Sequence, residues 1–161
     1  MLVDATAGLG RDAFALAKHG YTVLAIERCG ALWALVRDGL TRARRIPALE
    51  EIINERLAIR YGDAREILTL DGTLQPDVVY MDPMFPVDPH ATAAVKKEMR
   101  LLRGLVGDDT DAAELLDVAK GAARKRVVVK RMRQAPPIHP SPDVTISGRT
   151  VRYDVYLRRK Q

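Results

Sequence analysis

Short apolar runs alternate along this chain with longer stretches whose apolar residues recur every three to four positions. That alternation predicts β-α units on a largely parallel sheet. Residues 1–5 read as a first strand, 6–10 as a Gly-rich loop, and 11–19 as a helix stopped by Gly20. A second strand is expected at 22–26. A helix follows at 32–45, with Leu32, Leu35, Val36 and Leu40 on one face. Pro47 suits the first turn of a further helix, through about residue 56. Strands are expected at 57–61 and 78–81, the latter a continuous apolar run fit for a central buried position. A fifth strand at 126–130 has Val127-Val128-Val129 at its heart. Helices are expected at 64–70, 92–105 and 111–123.

Beyond the fifth strand lies a loop holding Pro136, Pro137, Pro140 and Pro142, which excludes helix and central strand there. Residues 144–147 and 151–157 flank Gly148-Arg149, so the pattern closes with an antiparallel hairpin.

With 161 residues, 47% of them hydrophobic, the chain is expected to be a single domain, 1–161, with a core of its own. It has one cysteine, Cys29, and three histidines without ligand spacing, so neither a disulfide framework nor a metal site is expected. Cys29 reads as a small buried apolar residue. No long apolar run and no leader-like start is seen, so a soluble cytoplasmic protein is expected. The net charge of +5 is unevenly spread. Residues 1–123 carry 15 basic and 19 acidic side chains, whereas residues 124–161 carry 11 and 2. Arg124, Lys125, Arg126, Lys130, Arg131 and Arg133 therefore read either as a surface that meets phosphates or as a solvated face.

In an open α/β sheet ligands sit beyond the carboxyl ends of the strands, and four segments fall there. Asp4-Ala-Thr-Ala-Gly8-Leu-Gly10-Arg-Asp12 offers glycines that admit a ligand close to the backbone, ahead of a helix N-terminus. Gly8-x-Gly10-x-x-Ala13 also fits the dinucleotide fingerprint. Glu27, directly after the second strand, is placed to accept from ribose hydroxyls, or to pair with Arg28. Gly62-Asp63-Ala64 could accept from an adenine amino group, or cap the following helix. Asp82-Pro83-Met84-Phe85-Pro86 is a rigid acid-aromatic loop. It is close to the Asp/Asn-Pro-Pro-Tyr/Phe loop of enzymes that methylate exocyclic amines. Such an amine is a poor nucleophile because its lone pair is delocalised into the ring. An acceptor for its N–H bonds localises that pair, and an aromatic ring such as Phe85 stacks on the base.

Five β-α units and a closing hairpin are the layout of a Rossmann-like methyltransferase. The segments 4–14, Glu27-Arg28, 38–40, 79–86, 95–100, 105–107 and 125–131 resemble the ribosomal small-subunit methyltransferase J family. The resemblance implies a class I S-adenosylmethionine-dependent methyltransferase fold, a seven-stranded, mostly parallel sheet with an antiparallel last strand, in the order 3-2-1-4-5-7-6. It implies transfer of a methyl group from S-adenosyl-L-methionine to N2 of a guanine in 16S ribosomal RNA, free or in the 30S particle. Cofactor contacts then fall on Gly8, Gly10, Arg11, Asp12, Glu27, Arg28, Asp63, Ala64 and Asp82. Catalysis falls on Asp82, the Pro83 carbonyl and Phe85, without a metal. Members of the family carry a further N-terminal region, whereas this chain begins inside the first strand. They commonly have Asn-Pro where this chain has Cys29-Gly30. Lys96, Lys97 and Arg100, beside the catalytic loop, read as RNA contacts or as a solvated face. Two other readings stay open: a small NAD-dependent oxidoreductase, and a non-catalytic RNA-binding remnant.

Overall fold

The computed structural model describes residues 1–83, 110–139 and 141–158. The chain runs β1 (Leu2–Asp4), α1 (Arg11–Lys18), β2 (Val23–Glu27), α2 (Gly30–Ala43), α3 (Pro47–Glu51), β3 (Leu57–Tyr61), α4 (Ala64–Leu70), β4 (Val78–Met81), α5 (Ala112–Ala122), β5 (Arg126–Met132), β6 (Val144–Ser147) and β7 (Val151–Leu157). Helix α3 passes into a π-helical turn, Ile52–Arg56, that buries Ile53 just ahead of β3. The sequence pattern predicted one uninterrupted helix there. The expected helix at 92–105 lies outside the described residues.

One sheet of seven strands has the order β3-β2-β1-β4-β5-β7-β6, as expected. Strands β1 to β5 run parallel, and β7 runs against both β5 and β6. The chain reverses direction across the sheet between β1 and β4. In open α/β sheets that is the place where strand-end loops part and leave a crevice.

Each central strand buries both faces, with side chains alternating between two helical layers. Val3, Val79, Met81, Val127 and Val129 pack toward α4 and α5 with Ile67, Leu68, Leu116 and Ala119. Leu2, Val23, Ala25, Leu57 and Tyr80 pack toward α1 and the π turn with Ala13, Ala17 and Ile53. A fully buried valine contributes about 1.5–3 kcal/mol, so the Val127-Val128-Val129 run anchors the centre of the sheet. Of the apolar face of α2, Leu32 is buried and Leu35 is 60% exposed. Among the described residues β3 is the edge strand on that side of the sheet.

Among the described residues, the basic quarter of the chain does not form one surface. Arg124, Lys125 and Arg126 are exposed, at the amino end of β5 and hence at the sheet edge opposite the β1–β4 crevice. Lys125 pairs there with Asp77, and Arg158 closes α5 by donating to the carbonyls of Gly121 and Ala123. Arg131 is buried and donates to the carbonyl of Pro136. Arg152 is also buried. It pairs with Asp154 and donates to the carbonyls of Arg133 and Ala135, clasping the start of the proline-rich loop. Lys130 points into the crevice, as described below. Reading these cations together as a phosphate-facing patch is therefore corrected. Strand alternation sends neighbouring residues to opposite faces, and the length of β5 separates residues at its two ends.

Candidate active site

The loop after β1 is tied down at both sides. Ala5 N–H donates to the Tyr80 carbonyl and Ala7 N–H to the Ile26 carbonyl, carrying the chain across the carboxyl ends of β4 and β2. Gly8 then adopts φ +54°, a left-handed conformation that suits glycine. Its N–H donates to Glu27 Oε2 at 2.6 Å. The other oxygen, Oε1, accepts from Cys29 N–H at 2.7 Å. Glu27 is buried, and these two backbone donors hold its carboxylate plane at the end of β2. A carboxylate oxygen can accept more than one hydrogen bond.

On the neighbouring side three acids, Asp4, Asp12 and Asp82, meet Lys130. Asp4 ends β1, is fully buried, and accepts from Thr6 N–H at 3.1 Å. Burial pushes its pKa up to about 7, with Asp12, Asp82 and Glu27 adding to the rise and the Thr6 N–H opposing it. Asp12, in the first turn of α1, accepts from Tyr80 Oη at 2.6 Å and from Lys130 Nζ at 2.8 Å. Burial raises the pKa of Asp12, but those two donors outweigh it and hold the carboxyl below its usual range. Lys130 Nζ also lies 2.9 Å from Asp82 Oδ2. Burial lowers the lysine pKa, and the bonds to Asp12 and Asp82 more than restore it. Burial and the adjacent Asp12 push the Tyr80 phenol far up, so it stays a donor. Asp82 is joined to the first loop as well, its N–H donating to Thr6 Oγ1 at 2.6 Å.

The far rim is built by Arg28, Arg65 and Asp111. Asp111 Oδ2 lies 2.6 Å from Arg28 Nη1 and 3.1 Å from Arg65 Nη2, linking the end of β2 to the start of α4 and α5. Asp63 caps α4 by accepting from Arg65 N–H at 2.8 Å, and pairs with the Arg65 guanidinium at 2.6 Å. That pairing holds the Asp63 carboxyl below its usual range.

Between these walls lies a cleft of about 320 Å³, large enough for a cofactor-sized molecule. Its lining includes Gly8, Arg11, Asp12, Glu27, Arg28, Asp63, Ala64 and Asp82, so the fold brings eight of the expected site residues into one cavity. Thr6, Tyr80, Arg65, Asp111 and Lys130 line it too. A Cβ built on Gly8 meets nothing nearer than the Thr6 carbonyl oxygen at 4.0 Å. The glycine thus leaves open space on the cleft side. A nucleoside fits this donor set: a carboxylate fixed at one end, bare backbone in the middle, an acid cluster at the other.

Gly10 is placed differently from the expectation. It does not line the cleft; it enters α1 at φ +71°, and an added Cβ would come within 3.3 Å of Val36. It serves the turn and the packing of α1 on α2. Asp63 shows the helix-cap arrangement on its side chain and also lines the cavity. Cys29, expected to be buried, is partly exposed as the residue before α2. Pro83 is buried beside Asp82. Phe85, Lys96, Lys97 and Arg100 lie outside the described residues. Lys130 was grouped by sequence with the surface cations. Its position two residues beyond the central Val128, in step with Tyr80 and Asp4 on the α1 face, was the available signal.

Residues 1–158 match the model of a protein family described as "Putative SAM-dependent methyltransferase". The chain belongs to that family. Within it, the chain is 51% identical over 162 residues to ribosomal RNA small subunit methyltransferase J of Chromohalobacter salexigens, covering 98% of this chain and 62% of the relative. The same-named protein of Thioalkalivibrio sulfidiphilus is 49% identical, covering 97% and 61%. This family member thus spans about three-fifths of the length of those curated relatives. Among solved structures, a SAM-dependent methyltransferase from Neisseria gonorrhoeae superposes with TM-score 0.78 at 37% identity, over 98% of this chain and 65% of that one. An rRNA methyltransferase from Streptomyces viridochromogenes shares the fold, with TM-score 0.63 at 19% identity over 98% and 76%.

Proposed function

We propose that this chain carries the methyl-transfer core of an enzyme that methylates the exocyclic N2 amine of a guanine in small-subunit ribosomal RNA. The observation that carries the reading is the shared cleft: Glu27, Gly8 and Asp82, from three different strand ends, face one cavity. The relatives named for small-subunit ribosomal RNA support the substrate class.

In this reading Glu27, oriented by the N–H groups of Gly8 and Cys29, accepts from the ribose hydroxyls of the cofactor. Gly8 leaves room for the cofactor chain, with Arg11, Arg28 and Ala64 bounding it and Asp63 lying by the adenine. When bound, S-adenosylmethionine would supply its sulfonium methyl group to the amine; the C–S electron pair would stay on sulfur in S-adenosylhomocysteine and the N–H proton would pass to solvent. Asp82 and the Pro83 carbonyl accept the N–H bonds of the amine, localising its lone pair toward the methyl carbon. Phe85 supports the base.

The test is methyl transfer from tritiated cofactor to unmodified small-subunit RNA, with the product nucleoside identified by mass spectrometry. N2-methylguanosine is expected, and calorimetry should show S-adenosylhomocysteine binding. NADH binding in place of S-adenosylhomocysteine would overturn the cofactor assignment. RNA affinity without transfer would reduce the chain to a binding module.

A further inference from the structure

We propose that Lys130 is a positioning residue for the methyl-transfer step: its ammonium bridges Asp12 and Asp82 and thereby sets the place and charge of the carboxylate that meets the amine. The proposal rests on reading Asp82 as that acceptor.

The geometry is specific. One nitrogen lies 2.8 Å from Asp12 Oδ2 and 2.9 Å from Asp82 Oδ2. Those carboxylates come from different elements, the first turn of α1 and the loop leaving β4, and no backbone hydrogen bond between them fixes their spacing. Lys130 does so from β5, which pairs with β4 on one side and β7 on the other and is among the best-held strands. Register explains the reach. Met81 pairs with Val129, so the next residue of each strand, Asp82 and Lys130, stand side by side where the sheet opens.

The bridge also answers an electrostatic problem. Asp4 of β1, Asp12 of α1 and Asp82 after β4 face this corner, with Glu27 of β2 close enough to act on Asp4. Tyr80 of β4 donates to Asp12, Arg11 lines the same cleft, and Tyr153 of β7 lies across from Lys130 in the ladder. Like charges this close disfavour one another's ionised form, and a neighbouring cation restores it. An ammonium can be shared between two carboxylates as a compact point charge, whereas a guanidinium fork favours one bidentate partner. Lysine therefore suits the bridge.

The test follows the Asp82 carboxyl carbon by NMR titration in Lys130→Met, with the full chain and no substrate present. The Asp82 midpoint is expected to rise by about one to three pH units, and the acidic limb of the kcat profile to move with it. Lys130→Arg, which keeps the charge, should hold the midpoint near the native value. Asp12→Asn added to Lys130→Met removes one repelling acid and should bring the midpoint part of the way back. If Lys130→Met fails to fold, Lys130→Gln serves, being polar but uncharged. An Asp82 midpoint that does not move in the uncharged variant overturns the proposal, as does a loss of kcat equal at every pH. Native protein that transfers no methyl group to RNA would instead overturn the proposed function, while the carboxyl titration still decides what Lys130 does to Asp82.

Discussion

Thr6 and Asp82 are joined by a 2.6 Å hydrogen bond across 76 positions of sequence, the threonine hydroxyl accepting from the aspartate N–H. This bond ties the glycine-bearing loop after β1 to the acid-proline turn after β4, and so couples the two halves of the cleft at the sheet's reversal point.

Thr6→Val should uncouple them. The Asp82 N–H then loses its acceptor in a partly buried place, at a cost of about 1–3 kcal/mol. The expected outcome is a kcat lowered about tenfold or more, a lower melting temperature, and S-adenosylhomocysteine affinity changed far less. Thr6→Ser keeps the oxygen and should recover most of the loss. Equal activity in the valine and native proteins would show that the turn is held by other means.

Glu27 is expected to dominate cofactor affinity. Glu27→Ala removes the acceptor and also leaves the N–H groups of Gly8 and Cys29 without it. Hydrogen bonds to a charged group are worth about 1.5–3 kcal/mol, so calorimetric affinity for S-adenosylhomocysteine should fall roughly 10- to 100-fold. Glu27→Gln keeps one acceptor oxygen and should fall between. An unchanged dissociation constant for the alanine variant would move the cofactor elsewhere.

Asp4 makes stability depend on pH. Its folded pKa is pushed up to about 7 from an ordinary 3.8. Between those values the folded chain binds more protons at Asp4 than the unfolded chain does. This acid's contribution is therefore fully favourable below the unfolded pKa and is lost as pH rises through about 7. The loss is at most about 4 kcal/mol. Asp12 and Asp63, whose pKa values are lowered, act in a different window: their contribution is present above their unfolded pKa and lost in stronger acid. Asp4→Asn, which can still accept from Thr6 N–H, should thus be more stable than the native chain at pH 8 and no better near pH 4. Urea midpoints at the two pH values measure this; a constant difference would place the pH dependence on another group.

Salt dependence should separate the basic residues by place. Arg133 is exposed near the carboxyl end of β5, whereas Arg124 and Arg126 lie at the other end of that strand. If RNA approaches the cleft, Arg133→Ala should lessen the slope of log affinity against log salt by about one. Arg124→Ala and Arg126→Ala should leave it unchanged. The reverse pattern would put the RNA on the opposite edge of the sheet.

Much of this molecule can be read along the chain. The bounds of β3, α4, β4, β6 and β7 agree with the hydrophobic pattern, because burial on one or two faces imposes a period that neighbouring residues carry themselves, whereas the strand order was implied by the family resemblance and agrees with it. Glu27, Gly8 and Asp82 were legible for a similar reason: each sits at the end of a recognisable strand, where the fold class puts ligands. Lys130, Thr6 and Tyr80 were not. Their roles depend on partners 48 to 118 positions away, as the 118-residue separation of Lys130 from Asp12 illustrates. Local pattern holds no record of which strand lies next to which residue's side chain. A lysine ending a valine run is a surface cation until the β4–β5 register sets it beside Asp82. An aspartate ending β1 is an ordinary acid until the packed sheet takes its water away.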